Sequence, residues 1–182
     1  MNAQLTKVQR ELEEATTRVR LLTEPLSDAL WRKQPESGGW SAGHCITHLN
    51  KSTEGFLPRL DETIREGWKK NSTGIGPFRR DFVGWLLCTM VEPPYRVKVK
   101  TSAKFDPQEV DSADKVMMDW DRLQNELYLR LTAADGLALD RVKVVSPFAA
   151  SMKYNLLAAF MVIPAHQRRH AWQAEQIVKS FH

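Results

Sequence analysis

One seam near the carboxyl end constrains the fold more than any other feature of the chain. Leu156, Phe160, Ile163, Gln167, His170, Ala174 and Ile177 recur in steps of four and three within 153–181. That spacing lines one face of an α-helix, and such a stripe must be covered by neighbours. Three further segments repeat the pattern. The stripe in 3–23 is Leu5, Val8, Leu12, Ala15, Val19 and Leu22, with charges between. In 41–68 it is Ile46, Leu49, Phe56, Leu57, Leu60 and Ile64, and Ser41 stands where a helix cap is needed. In 110–134 it is Val110, Val116, Met117, Trp120, Leu123, Leu127 and Leu131. Four long amphipathic helices with little strand signal predict an all-α fold, a four-helix bundle.

The breaks are equally legible. Pro25 stops the first helix, and Ser27 can cap a short piece after it. "PESGGW" (35–40) and "KKNSTGIGP" (69–77) are loops by composition. A short helix fits 79–91, stopped by Pro93 and Pro94. "YRVKVKTSAKF" (95–105) alternates, but a lone short strand has no partner, so a long extended loop between long helices 2 and 3 is expected. Residues 134–149 read as a connector.

Size and charge narrow the function. The chain has 182 residues, enough for one domain spanning 1–182. No apolar run reaches the roughly 18 residues of a membrane span. The first twenty residues lack the apolar core of a secretion signal, so a cytoplasmic protein is expected. The net charge is +4. Outside Arg96, Lys98, Lys100 and Lys104 the basic residues are scattered, with no nucleic-acid-reading element. A small-molecule partner is expected, with no nucleic acid and no membrane. Cys45 and Cys88 are too few for a disulfide framework and form no CxxC, so both are expected to be free and buried.

The histidines carry the chemistry. His166 and His170 lie one helical turn apart, offset by about 40° and about 6 Å, so two imidazoles can reach one ion. His170 lies on the inward seam, and bare buried rings need partners. Pro164 cannot donate to the Phe160 carbonyl, so the helix should loosen just before the first ligand. A second pair, His44 and His48, lies near the start of the second long helix; His48 borders the apolar stripe and His44 lies a turn earlier. A bundle can bring these two regions together. Three imidazoles around a divalent ion leave a position open for water or substrate. A di-iron carboxylate centre requires Glu-x-x-His, and the residues three before His44, His48, His166 and His170 are Ser41, Cys45, Ile163 and Gln167. His182 is terminal and is expected to be idle.

"GGWSAGHCITHL" (38–49) and "HQRRHAWQ" (166–173) resemble, in order and separation, the two motifs of the DinB/YfiT-like family. The resemblance covers nearly the whole chain. It implies a down-up-up-down helical bundle holding one divalent metal, zinc or nickel, with the ligands on His48, His166 and His170. His44 sits where many members carry another polar residue, and its role stays open. The resemblance also implies a low-molecular-weight thiol cosubstrate, such as the bacillithiol or mycothiol that some members use, and a homodimer. Zinc, nickel, copper and iron all suit imidazole, so the residues do not choose among them.

Other residues carry alternatives. Trp40 and Ser41 read as loop anchor and cap. Gln173 is either a bond partner for an imidazole or an exposed glutamine. Arg168 and Arg169 either steer an anion or form a solvated face. Trp85, Trp120 and Trp172 read as core filling, with a pocket wall as the alternative for one of them. Asp81, Glu54 and Glu175 are acid/base candidates. The leading expectation is a metal-dependent enzyme activating a thiol or water, of thiol S-transferase or hydrolase type. The alternatives are a stress-related or ligand-binding bundle with a vestigial metal site, and a metal-free interaction module.

Overall fold

The computed structural model describes residues 1–93 and 101–181. Six helices occur among them: α1 (Ala3–Thr23), α2 (Asp28–Arg32), α3 (Ala42–Lys69), α4 (Phe82–Val91), α5 (Ala113–Ala133) and α6 (Leu156–Lys179). Two short strands, β1 (Lys143–Val145) and β2 (Lys153–Asn155), pair antiparallel, with Val144 opposite Tyr154. Most of the basic stretch 95–105 and His182 lie outside the described residues, so the expected extended loop is not seen as a whole.

Each helix starts on a residue whose side chain satisfies a free first-turn amide: Asn2, Ser27, Ser41, Asp81, Ser112 and Asn155. The seams face inward as their spacing predicts. Leu5, Val8, Leu12, Ala15 and Val19 of α1 are buried, as are Phe160, Ile163, Gln167, His170, Ala174 and Ile177 of α6. Helix α6 runs through Pro164 without interruption, so the expected loosening does not break it.

Two apolar clusters fix the helix directions. One joins the start of α1 (Leu5, Leu12), the end of α3 (Leu60, Ile64), the end of α5 (Leu127, Leu131) and the start of α6 (Leu156, Phe160). The other joins the end of α1 (Val19), the starts of α3 and α5 (Ile46, Leu49, Val116, Trp120) and the end of α6 (Ala171, Ala174). Helices α1 and α6 therefore run one way and α3 and α5 the other. Helix α3 packs on α5 and α6, and α1 packs on the same two.

The hairpin corrects the all-α expectation. Its three-residue strands are too short to show alternation, and Lys153–Asn155, read as the first turn of the last helix, is strand instead. Asn155 then caps α6, accepting from the Ala158 amide at 2.9 Å. The hairpin anchors α4. Asp81 accepts from the Gly84 and Asn155 amides, both at 2.9 Å, and pairs with Lys143. Lys143 and the two amides hold its carboxyl below the usual carboxylate range despite partial burial.

Helix α4 crosses α6 at Gly84, where a Cβ would lie 2.1 Å from the Ala158 Cβ. Alanine is the better helix former by about 1 kcal/mol, but here the clash is with a buried methyl on a packed helix. Gly84→Ala is expected to lower stability by about 1–3 kcal/mol. Urea unfolding checks this, and Gly84→Ala with Ala158→Gly should recover most of the loss.

Candidate metal centre

The antiparallel packing of α3 on α6 brings the first turns of one against the late turns of the other. His48 projects from α3; His166 and His170 project from successive turns of α6. The ring centroids of His48 and His166 are 5.1 Å apart, and each of the other two pairs is 4.6 Å apart. One ligating nitrogen from each ring lies within 4.8 Å of the others. The Nε2 atoms of His48 and His166 are 3.3 Å apart, close to the ~3.4 Å separating two nitrogens on a tetrahedral ion at ~2.1 Å. His48 and His170 are 3% and 7% exposed, while His166 is densely surrounded but keeps one edge on a cavity.

The outer nitrogens are already engaged. His48 Nδ1 lies 2.8 Å from the Phe105 carbonyl, which can only accept, so Nδ1 carries the proton and Nε2 presents a lone pair. His170 Nδ1 lies 3.0 Å from Gln173 Oε1 in the same arrangement. This is the outer bonding that orients metal-binding histidines. Ser52 Oγ is 3.4 Å from His48 Nε2. The donor set therefore fits a divalent cation: three neutral imidazoles from two helices, two with their tautomer fixed from outside.

Burial lowers the pKa of all three rings, by a wide margin for His166 and His170; Arg169 adds to it at each, and repulsion from the neighbouring rings adds to it at His166 and His170. The rings are thus held neutral, the form that binds metal. A stability consequence follows for the metal-free protein. Above the ordinary value of 6.5 the folded and unfolded rings are both neutral. Below it the unfolded chain takes up protons that the buried rings refuse, so stability falls with pH until the depressed folded values are reached. In chelator, the urea midpoint is expected to drop between pH 7 and pH 5, and His166→Gln with His170→Gln should flatten that drop.

The remaining candidates separate cleanly. His44 is outside the cluster: its ring bonds Ser41 Oγ at 2.8 Å, and the two form a reciprocal cap. Gln173 is the bond partner of His170. Arg168 is held by Glu92 and Glu11, so it is a structural ion pair. Arg169 borders the cavity and donates to the Met90 carbonyl at 3.2 Å. None of the acid/base candidates lines the cavity: Asp81 caps α4, Glu54 pairs with Arg122, and Glu175 with Arg18. Trp120 is core, whereas Trp85 is 48% exposed and Trp172 lines a surface groove. Cys45 and Cys88 are free and buried, and burial pushes both thiols up.

Several contributors were not foreseen. Trp40, read as an anchor, also packs its ring 4.8 Å from His48 and 5.7 Å from His170. Its position beside the capping serine was the available signal. The Phe105 carbonyl and the Phe148 ring, 5.8 Å from His166, come from segments read as loop and connector, where no helical period marks an inward position.

A cavity of about 970 Å³ opens from the rings toward α4, walled largely by apolar side chains. No helix among the described residues is long and apolar enough to cross a membrane. Comparison with curated proteins gives no match, and comparison with solved structures gives none. Comparison with protein-family models matches residues 11–174 to the DinB superfamily. That span holds all three rings, the whole of α3 and α5 and most of α1 and α6, and by it the chain belongs to the DinB superfamily.

Proposed function

We propose that this chain is a metal-dependent enzyme on a down-up-up-down four-helix bundle, with His48, His166 and His170 holding one divalent ion, zinc or nickel. The observation that carries the reading is the convergence of three neutral rings on the wall of a cavity lined largely by apolar side chains. A divalent ion there would lower the pKa of a water or thiol that reaches it, and three protein nitrogens leave room for one. The chain's own residues do the rest. Phe105 and Gln173 fix the ring orientations, and Trp40 covers the two rings it packs on. Arg169 places a positive charge beside the centre for an anionic group. Glu92, the one carboxylate among the described cavity-lining residues, is held by Arg168. This favours activation through a lowered pKa over proton removal by a side-chain base.

The reaction type is a thiol S-transferase or a hydrolase, with a low-molecular-weight thiol as cosubstrate in the first case. Assembly as a homodimer and a cytoplasmic setting belong to the same proposal. A non-catalytic ligand-binding bundle is the second reading, favoured by the size of the apolar cavity. Turnover separates them. Zinc- or nickel-loaded protein should conjugate a thiol to an electrophilic aryl substrate, or hydrolyse an activated ester, and His48→Ala should not. Metal binding without turnover across both panels would favour the ligand-binding reading.

Gln173→Ala should weaken metal binding about 10–100-fold through loss of the bond that orients His170. Competition titration against a chromophoric chelator measures it. Gln176→Ala, on the same helix but outside that bond, should stay within about threefold on the same physical ground.

A further inference from the structure

Three hydroxyls inside the helices, those of Thr17, Thr89 and Thr132, are spent on the carbonyl four residues back, at 3.0, 2.9 and 3.1 Å. Ser52 of α3 is used differently. It is 2% exposed, and its Oγ turns to a side chain, lying 3.4 Å from His48 Nε2. Nδ1 of that ring carries the proton and is held by the Phe105 carbonyl, so Nε2 accepts and the Ser52 hydroxyl donates. The same Nε2 faces His166 and is the atom that offers a lone pair to a cation. A lone pair bound to a cation accepts no hydrogen bond. Loading the centre therefore takes the acceptor away from a buried hydroxyl, and a buried donor left unpaired is costly. The replacement lies close by. His48, Ser52 and Phe56 follow one another at four-residue steps on α3, and the first and last of them border the cavity. Three protein nitrogens leave a position open at the ion.

We propose that Ser52 donates a hydrogen bond to the small group that takes this open position, and so selects a group that keeps a lone pair after binding: an anionic nitrogen, a carboxylate oxygen or a thiolate. The proposal rests on the metal-centre reading. Azide and imidazole are the probes. Azide bound through one nitrogen still presents lone pairs there, whereas imidazole bound through its one basic nitrogen has only an N–H to offer. Both are titrated into the full-length, untagged chain loaded with cobalt(II), whose visible absorption reports the ligands around the ion.

Ser52→Ala should raise the Kd of azide about tenfold, as expected for a hydrogen bond to a charged acceptor. It should leave imidazole within twofold. Cobalt affinity should not fall, because the hydroxyl no longer competes for the His48 lone pair. In crystals of the loaded wild-type protein soaked in azide, Ser52 Oγ should lie about 3 Å from an azide nitrogen. An azide Kd unchanged within twofold would overturn the proposal. So would an equal loss for azide and imidazole, a loss of cobalt matching that in His48→Ala, or a Ser52 hydroxyl turned back to the His48 carbonyl in the azide-bound crystal. A wild-type chain that takes up no cobalt would defeat the metal-centre reading and this proposal with it. Unchanged azide binding on a cobalt-loaded variant would defeat the role of Ser52 alone.

Discussion

Zinc is expected to bind His166→Ala roughly a thousandfold more weakly than the wild-type chain. Zinc held by protein ligands is worth about 10–16 kcal/mol in small structural sites, so one of three ligands accounts for several kcal/mol. His166 is the ring that completes the set, its Nε2 3.3 Å from that of His48. The loss should not come from unfolding. His166 keeps an edge on the cavity, and its removal takes away a group whose protonation burial opposes. At pH 5 the metal-free variant should therefore be at least as stable as metal-free wild type. His44→Ala supplies the contrast. Its ring caps α3 and takes no part in the cluster, so zinc affinity should change by less than about threefold. Chelator competition and urea unfolding on both variants separate loss of a ligand from loss of fold.

Trp31→Ala is expected to remove about 3–5 kcal/mol of stability, or roughly 10 °C of Tm for a chain of this size. Trp31 is fully buried, and its Nε1 donates to the Asp111 carbonyl at 3.0 Å. It lies so close to α3 that a Cβ on Gly43 would meet its Cε2 at 2.8 Å and the Val110 Cγ1 at 2.5 Å. One indole thus joins α2, the first turn of α3 and the segment leading into α5. That first turn positions His48 five residues on. The variant should therefore lose zinc affinity as well as stability, though by less than His166→Ala. Thermal unfolding with and without zinc measures both effects.

The helices were legible because their burial follows a single period. Every position assigned to the inward face of α1 between Leu5 and Val19 is buried, and so is the polar pair Gln167 and His170 on α6. Ser41 capped the helix it was expected to cap. The ligand set was legible in part. Spacing alone left His44 and His48 together; the family resemblance singled out His48, and the packing shows why. His44 is drawn into a local bond with Ser41, whereas His48 faces α6. What stayed hidden depends on tertiary contact. Residues 143–145 and 153–155 become strands only by pairing with each other. The apolar residues of α4 look like core in sequence, yet part of that face borders a cavity and Trp85 faces outward. The acid/base candidates were plausible by residue type but are consumed by caps and ion pairs.

The most direct test is anomalous diffraction at the zinc and nickel edges from crystals of untagged protein, supported by metal analysis of the same preparation. The expected result is one anomalous peak, at about one equivalent, some 2.0–2.1 Å from nitrogens of His48, His166 and His170. The contrary result is no peak among these rings after soaking in zinc and in nickel at neutral pH, or a peak held by other residues; either would leave the three histidines as neutral polar groups in a helical core.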